Sequence, residues 1–266
     1  MRARAALALA AALLAPPAAA CAPDGSTPCA LADGAYRIVR PEGGTAPAIV
    51  LLHGFGGTGA GLLRMRGTVE AFAARGYAVI APDGQPRAGG GGLRWRFRGA
   101  EGRDDDAFLG AVRDDAAARF DLDPGRVILA GFSNGGFLAT YLACRDPDAF
   151  HAFAPVAGGF WTPEPEACAG PVRLHHTHGW RDATVPLEGR PLGGDRVQGD
   201  VWAGLDTLRR TNGCRFDAPA GYGAHGRFLL RRWDCPEGAL EMALHPGGHG
   251  IPEGWADLLI DWVDGL

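Results

Sequence analysis

Val127-Ile128-Leu129-Ala130-Gly131-Phe132-Ser133-Asn134-Gly135-Gly136 reads as a short buried strand that ends in a sharp turn and opens into a helix. The apolar run reaches Gly131, and Gly135-Cys144 behind the serine has helical length and spacing. Such a turn brings neighbouring backbone segments close to its tip. Residues without a Cβ are therefore needed on both sides of Ser133, which Gly131 and Gly135 supply. Only two serines occur, Ser26 and Ser133, among 42 glycines in 266 residues. By chance, glycine two places away on both sides of a serine is expected about 0.05 times in such a chain. At the N-terminus of a helix, exposed N–H groups and the helix dipole favour developing negative charge, so Ser133 is placed as a nucleophile.

Working outward, Ala48-His53, Tyr77-Ala81, Phe153-Ala157, Val172-Thr177 and Glu241-Leu244 repeat the strand signature of Val127-Gly131. Most are short and continuously apolar, the pattern of strands buried on both faces of a parallel sheet. Between them, Leu62-Arg75, Asp104-Phe120, Asp200-Asn212 and Trp255-Val263 have helical spacing. Alternating strands and helices predict an α/β protein, doubly wound, with a mostly parallel sheet covered by helices on both faces. No repeat and no Pro-, Ser- or Thr-rich linker interrupts the pattern, so residues 21–266 read as one catalytic domain. The irregular stretch is Asp83 to Arg103, with Gly89-Gly90-Gly91-Gly92 and then Leu93-Arg94-Trp95-Arg96-Phe97-Arg98. It is either a substrate rim or a surface excursion anchored by one Trp.

Composition removes several function classes. The net charge is -4, which leaves no basic surface for nucleic acid. All 26 cationic residues are Arg, so Schiff bases, P-loop lysines and Ser-Lys dyads are excluded. Arg2 and Arg4 precede an uncharged run from Ala5 to Ala20 that ends in Ala18-Ala19-Ala20. Residues 1–20 therefore read as a signal peptide, and the mature protein is expected to be secreted or periplasmic with no integral membrane segment. A lipoprotein anchored through Cys21 is the second reading, and it would leave Cys29 without a partner. Six cysteines in an exported chain favour disulfides over metal or free thiols. Of the 15 possible pairings, the expected one joins nearest neighbours: Cys21 with Cys29, Cys144 with Cys168, and Cys214 with Cys235.

A serine hydroxyl needs a neighbouring base, and His is the side chain whose pKa suits proton transfer near neutrality. His249, in Pro246-Gly247-Gly248-His249-Gly250, lies in a Gly-rich loop after the last apolar run and before the final helix. His245 competes but continues that run, and His151 and His225 lack supporting context. The acid that orients the base should follow a strand between the two. Asp182 follows Val172-Thr177, while Asp195, Asp200 and Asp206 are substitutes, of which Asp200 looks like a helix cap and Asp206 a solvated position. His53-Gly54-Phe55-Gly56-Gly57 follows an early strand and supplies an oxyanion loop. The candidate donors are the backbone N–H groups of Phe55 and Asn134. His175-His176-Thr177-His178 invites a metal reading, but successive strand residues face opposite sides; no metal and no cofactor are expected.

Taken together, His53 to Gly57, Gly131 to Gly136, His178-Gly179 through Asp182, and Gly248-His249 resemble the polyhydroxybutyrate depolymerase and feruloyl esterase branch of the α/β-hydrolases, from about Gly34 to Leu266. The resemblance implies an α/β-hydrolase fold, with Ser133 as nucleophile, Asp182 as acid, His249 as base, and Phe55 and Asn134 as oxyanion donors. It implies an exported serine esterase acting on short-chain, hydroxycinnamoyl or hydroxyalkanoate oligomer esters. An acyltransferase or peptidase would use the same triad, and a non-catalytic binding protein is the reading from another class. Depolymerases of solid polyester commonly append a substrate-binding domain, for which about 246 mature residues leave no room, so soluble or short-chain esters are expected. Trp95, Trp161 and Trp180 are candidates to stack on a substrate, with packing anchors as the competing reading.

Overall fold

In the computed structural model, residues 21–87, 89–215 and 217–266 are described, so the expected signal peptide lies outside the described residues. The elements in chain order are β1 (Cys29–Leu31), β2 (Gly34–Val39), β3 (Ala46–Leu52), α1 (Gly59–Leu63), α2 (Arg66–Ala74), β4 (Ala78–Pro82), β5 (Gln85–Pro86) and β6 (Leu93–Arg94). They continue with α3 (Asp105–Phe120), β7 (Leu122–Phe132), α4 (Asn134–Arg145), β8 (Ala152–Val156), β9 (Arg173–Gly179), β10 (Arg190–Pro191), β11 (Val197–Gln198) and α5 (Val201–Thr211). Last come β12 (Gly221–His225), β13 (Phe228–Trp233), β14 (Ala239–His245) and α6 (Trp255–Val263).

A ten-stranded sheet runs β1-β2-β4-β3-β7-β8-β9-β14-β13-β12. Its six central strands, β4 to β14 in that order, pair in parallel. Antiparallel strands extend it at both edges. The six parallel strands are the six that the sequence predicts, most of them from continuous apolar runs. The edge strands escape that reading because their residues alternate in exposure or are exposed, as in Gly221-Tyr222-Gly223-Ala224-His225.

Side chains alternate across the sheet, so two apolar layers form. Ala48, Val50 and Leu52 of β3 pack with Phe108, Leu109 and Val112 of α3, Leu138 and Leu142 of α4, and Leu205 of α5. Ile49 and Leu51 pack on the other side with Leu62, Val69 and Phe72 of α1 and α2 and with Leu258 and Leu259 of α6. Helices thus cover both faces, as a parallel sheet requires. The predicted helix over Leu62-Arg75 is instead two. The Arg64 and Met65 N–H groups bond back to Gly61 and Leu62, three residues earlier, which tightens and closes α1 before α2 begins.

The cysteines pair as Cys21–Cys29, Cys144–Cys168 and Cys214–Cys235, the nearest-neighbour arrangement. No helix among the described residues is long and apolar enough to cross a membrane.

Candidate active site

β7 lies in the middle of the sheet between β3 and β8, and ligands of doubly wound sheets bind at the carboxyl ends of such strands. Ser133 stands at that end with φ 55° and ψ −115°, a backbone conformation that costs a residue with a side chain about 1–3 kcal/mol. The surroundings over-determine it. Its N–H donates to the Val156 carbonyl at 2.9 Å, and its carbonyl accepts from the Phe137 N–H of α4 at 2.8 Å. A Cβ on Gly131 would sit 2.4 Å from the Gly135 carbonyl oxygen, and one on Gly135 would sit 2.6 Å from that of Leu52. The paired glycines are therefore a steric requirement of the turn.

Asp182 follows β9 and His249 follows β14, and these strands are sheet neighbours. Both loops consequently open on the side of Ser133. His249 Nδ1–H donates to Asp182 Oδ2 at 2.7 Å, and His249 Nε2 lies 2.9 Å from Ser133 Oγ. With Nδ1 carrying the proton, Nε2 is free to accept from the serine hydroxyl. Asp182 Oδ1 accepts from the Thr184 and Val185 N–H groups, each at 2.8 Å. Its side chain is fully buried, whereas that of His249 is 19% exposed. Burial alone would raise the Asp182 carboxyl, but the His249 hydrogen bond and the two backbone donors outweigh it and hold the pKa below the usual value. An ionised, oriented carboxylate behind a partly exposed imidazole is the arrangement that general-base activation needs.

The loop after β3 lies against the serine, for a Cβ on Gly54 would be 3.5 Å from Ser133 Cβ. Phe55 follows it, exposed at the rim, with the Arg87 guanidinium 4.1 Å from its ring centroid. Asn134 is the first residue of α4, where helical N–H groups have no intrahelical acceptor. Its side chain is a clamp: Oδ1 accepts from the Trp95 N–H at 2.6 Å and Nδ2 donates to the Trp95 carbonyl at 3.2 Å. Trp95 Nε1–H in turn donates to the His53 carbonyl at 2.9 Å. His53 Nδ1–H donates to Gly54, and Nε2 accepts from the Gly84 N–H at 3.0 Å. His53 therefore braces the Gly54-Phe55 loop.

Trp95 is only 2% exposed, which gives its indole the packing role and removes it from the candidates for stacking on a substrate. Trp180 is 43% exposed, and Trp161 is half-buried beside Phe97 and Phe137. The Asp83 to Arg103 stretch is tied down by Asp105. This fully buried carboxylate pairs with Arg103 Nε at 2.7 Å and accepts from the Arg96 N–H and from Gln85 Nε2. Of the substitute acids, Asp200 caps α5 and Asp206 pairs with Arg209 and Arg210. Asp195 lines a cavity beside Trp161. His245 ends β14, buried, and accepts from the Gly247 N–H.

Behind Asp182, the remaining histidines of β9 split by face. His175 approaches Glu241, while His176 and His178 stack on the opposite side at 5.3 Å. His176 Nε2–H donates to His178 Nδ1 at 3.0 Å, and His178 Nε2–H donates to the Val185 carbonyl at 2.8 Å. Their facing nitrogens are thus spent on each other and on the Asp182 loop. Among the described residues no three metal-ligating side chains converge. Burial pushes both imidazoles down, His176 well below the ordinary 6.5, helped by its charged-state repulsion from His178. The unfolded chain then binds more protons than the native one below pH 6.5. Stability should be fully present above that value and fall as pH drops toward the depressed native pKa values. Thermal unfolding from pH 7.5 to 5 should show Tm declining, and less so in His176→Gln.

The chain is similar to several known hydrolases. "Putative esterase NocK" of Nocardia uniformis subsp. tsuyamanensis is 28% identical over 244 residues, covering 83% of this chain and 71% of that protein. "Poly(3-hydroxyalkanoate) depolymerase C" of Paucimonas lemoignei is 44% identical over 46 residues, which is 17% of this chain and 11% of that protein. In fold, the chain is similar to an acetyl xylan esterase from Aspergillus awamori, with TM-score 0.69, 17% identity, and 87% of this chain and 94% of that one covered. It is also similar to a Mesorhizobium loti carboxylesterase, with TM-score 0.60, 19% identity, and coverage of 90% and 99%. Residues 35–210 match the family model described as X-Pro dipeptidyl-peptidase (S15 family). The chain belongs to that family, and its fold is the α/β-hydrolase fold of the esterases it is similar to.

Proposed function

We propose that this protein hydrolyses carboxylic esters through an acyl-enzyme, with Ser133 as nucleophile, His249 as base and Asp182 as the acid that orients it. The observation that carries this reading is His249, hydrogen-bonded to Asp182 at 2.7 Å on one side and to Ser133 at 2.9 Å on the other. In the first step Ser133 Oγ bonds to the ester carbonyl carbon while its proton passes to His249 Nε2. The carbonyl oxygen becomes an oxyanion facing the Phe55 and Asn134 N–H groups, each worth a factor of about 100 to 1000 in rate. As the intermediate collapses, the bond to the alcohol oxygen breaks and His249 returns its proton to that oxygen. Water, deprotonated by His249, then attacks the acyl-serine, and the acid leaves with Ser133 restored. Small, soluble esters are the proposed substrates: short-chain, hydroxycinnamoyl or hydroxyalkanoate oligomer esters. The three disulfides support an oxidising, exported location for the enzyme, secreted or periplasmic.

The family description favours a second reading, removal of X-Pro dipeptides by the same triad. The two separate on paired chromogenic substrates. Ester hydrolysis predicts that p-nitrophenyl acetate is turned over with kcat/KM at least about 100-fold above that of an Ala-Pro p-nitroanilide. Preference for the anilide would overturn the esterase reading.

A further inference from the structure

Arg94 occupies an unusual place. The residue before it, Leu93, accepts from the Gly56 N–H at 2.7 Å, next to Phe55 in the proposed oxyanion loop. The residue after it, Trp95, is clamped on both backbone groups by the Asn134 side chain. Arg94 is therefore fixed between the two segments that carry the proposed oxyanion donors. Arg94, an exposed residue, lines a cavity of about 570 Å³ together with Phe97, Arg98 and Trp161. The Arg98 guanidinium lies 5.6 Å from the Trp161 ring centroid. Trp161 packs against Phe137, whose N–H bonds to the Ser133 carbonyl, so one aromatic contact links the wall of the cavity to the nucleophile turn.

The charge of this cavity is unbalanced. Four arginines line it, Arg94, Arg96, Arg98 and Arg196, against the two carboxylates of Glu101 and Asp195. Arg96 spends its guanidinium on the Arg103 and Gly99 carbonyls and approaches Asp104. Among the described residues, neither Arg94 nor Arg98 has a carboxylate within 4.0 Å. A guanidinium presents a planar fork of donors that matches a carboxylate, and the Trp161 face beside it suits an apolar or aromatic stem.

We infer that this cleft binds a second, non-reacting carboxylate of the substrate, so that the preferred esters are anionic. The inference rests on the esterase reading above and names its substrate class. The carboxylate belongs to either half of the ester, and the probes cover both. Mono-p-nitrophenyl glutarate carries it on the acyl side, with p-nitrophenyl valerate as the neutral match; 3-acetoxybenzoate carries it on the leaving group, with phenyl acetate as its match. At low salt, at least one anionic ester should exceed its neutral match in kcat/KM, through a lower KM. That ratio should fall on the order of tenfold in Arg94→Gln/Arg98→Gln, by a smaller factor in Arg98→Gln alone, and also in the native enzyme when ionic strength is raised to about 0.5 M. A ratio at or below one for both pairs would overturn the inference, as would a ratio that the double variant leaves unchanged. Failure of the native enzyme on all four esters would instead overturn the esterase reading. Arg98, being exposed, gives a variant that tests the cleft without disturbing the Asn134 clamp.

Discussion

Alanine in place of Ser133 is expected to lower kcat for p-nitrophenyl acetate on the order of 10⁶-fold while leaving the fold intact. The hydroxyl's one side-chain partner described is His249 Nε2 at 2.9 Å, so its removal takes away the proposed nucleophile without breaking a contact on which packing depends. The bonds that hold the turn belong to the backbone, from the Ser133 N–H to Val156 and from Phe137 to the Ser133 carbonyl. Alanine tolerates φ 55° no better and no worse than serine, so the strain is carried over and Tm should stay within a few degrees. Circular dichroism and stopped assays on the purified variant check both halves. Turnover within tenfold of the native enzyme would require another nucleophile, and Ser26 is the only other serine in the chain.

Asn in place of Asp182 is expected to lower kcat by about 10⁴-fold with little change in stability. The argument is one of hydrogen-bond direction. Two N–H groups, from Thr184 and Val185, point at Oδ1 and demand an acceptor there. The oxygen of the asparagine must take that place, which turns its NH₂ toward His249 Nδ1. The imidazole then accepts at Nδ1 and carries its proton on Nε2, facing Ser133 with a donor where an acceptor is needed. Removal of the carboxylate also removes the charge that supports the imidazolium formed during attack. Steady-state kinetics on D182N measure the loss, and a defect below about 100-fold would mean that another acid orients His249.

Much of this architecture is legible in the amino-acid order, for identifiable reasons. The six parallel strands are buried on both faces, so most are continuous apolar runs that stand out from their helices. Ser133 is legible because Gly131 and Gly135 answer a steric demand that few turns make. What the order of residues leaves open is which distant groups meet. Asp182 lies 67 residues before His249, and Ser133 lies 116 before it, so candidates can be ranked by the loops they occupy but not by contact. The Asn134 clamp on Trp95 spans 39 residues, and the Trp95 bond to the His53 carbonyl spans 42. Neither has a local signature, so the order of residues leaves Trp95 open between a rim aromatic and a packing anchor, and its burial makes it the brace. The edge strands were hidden for the opposite reason, since a half-exposed strand such as Phe228–Trp233 mixes arginines with leucines. The Asp105 hub under the Asp83 to Arg103 loop is equally silent, because a carboxylate at a helix start looks like an ordinary N-terminal acid until its buried partners are known.

The most direct test is covalent. A fluorophosphonate probe reacts with a serine that an adjacent base has activated, and peptide mass spectrometry then names the residue. The account predicts one adduct per chain on the peptide containing Ser133, absent from Ser26 and lost in His249→Ala. Folded protein that hydrolyses p-nitrophenyl acetate but carries no adduct at Ser133 would contradict it.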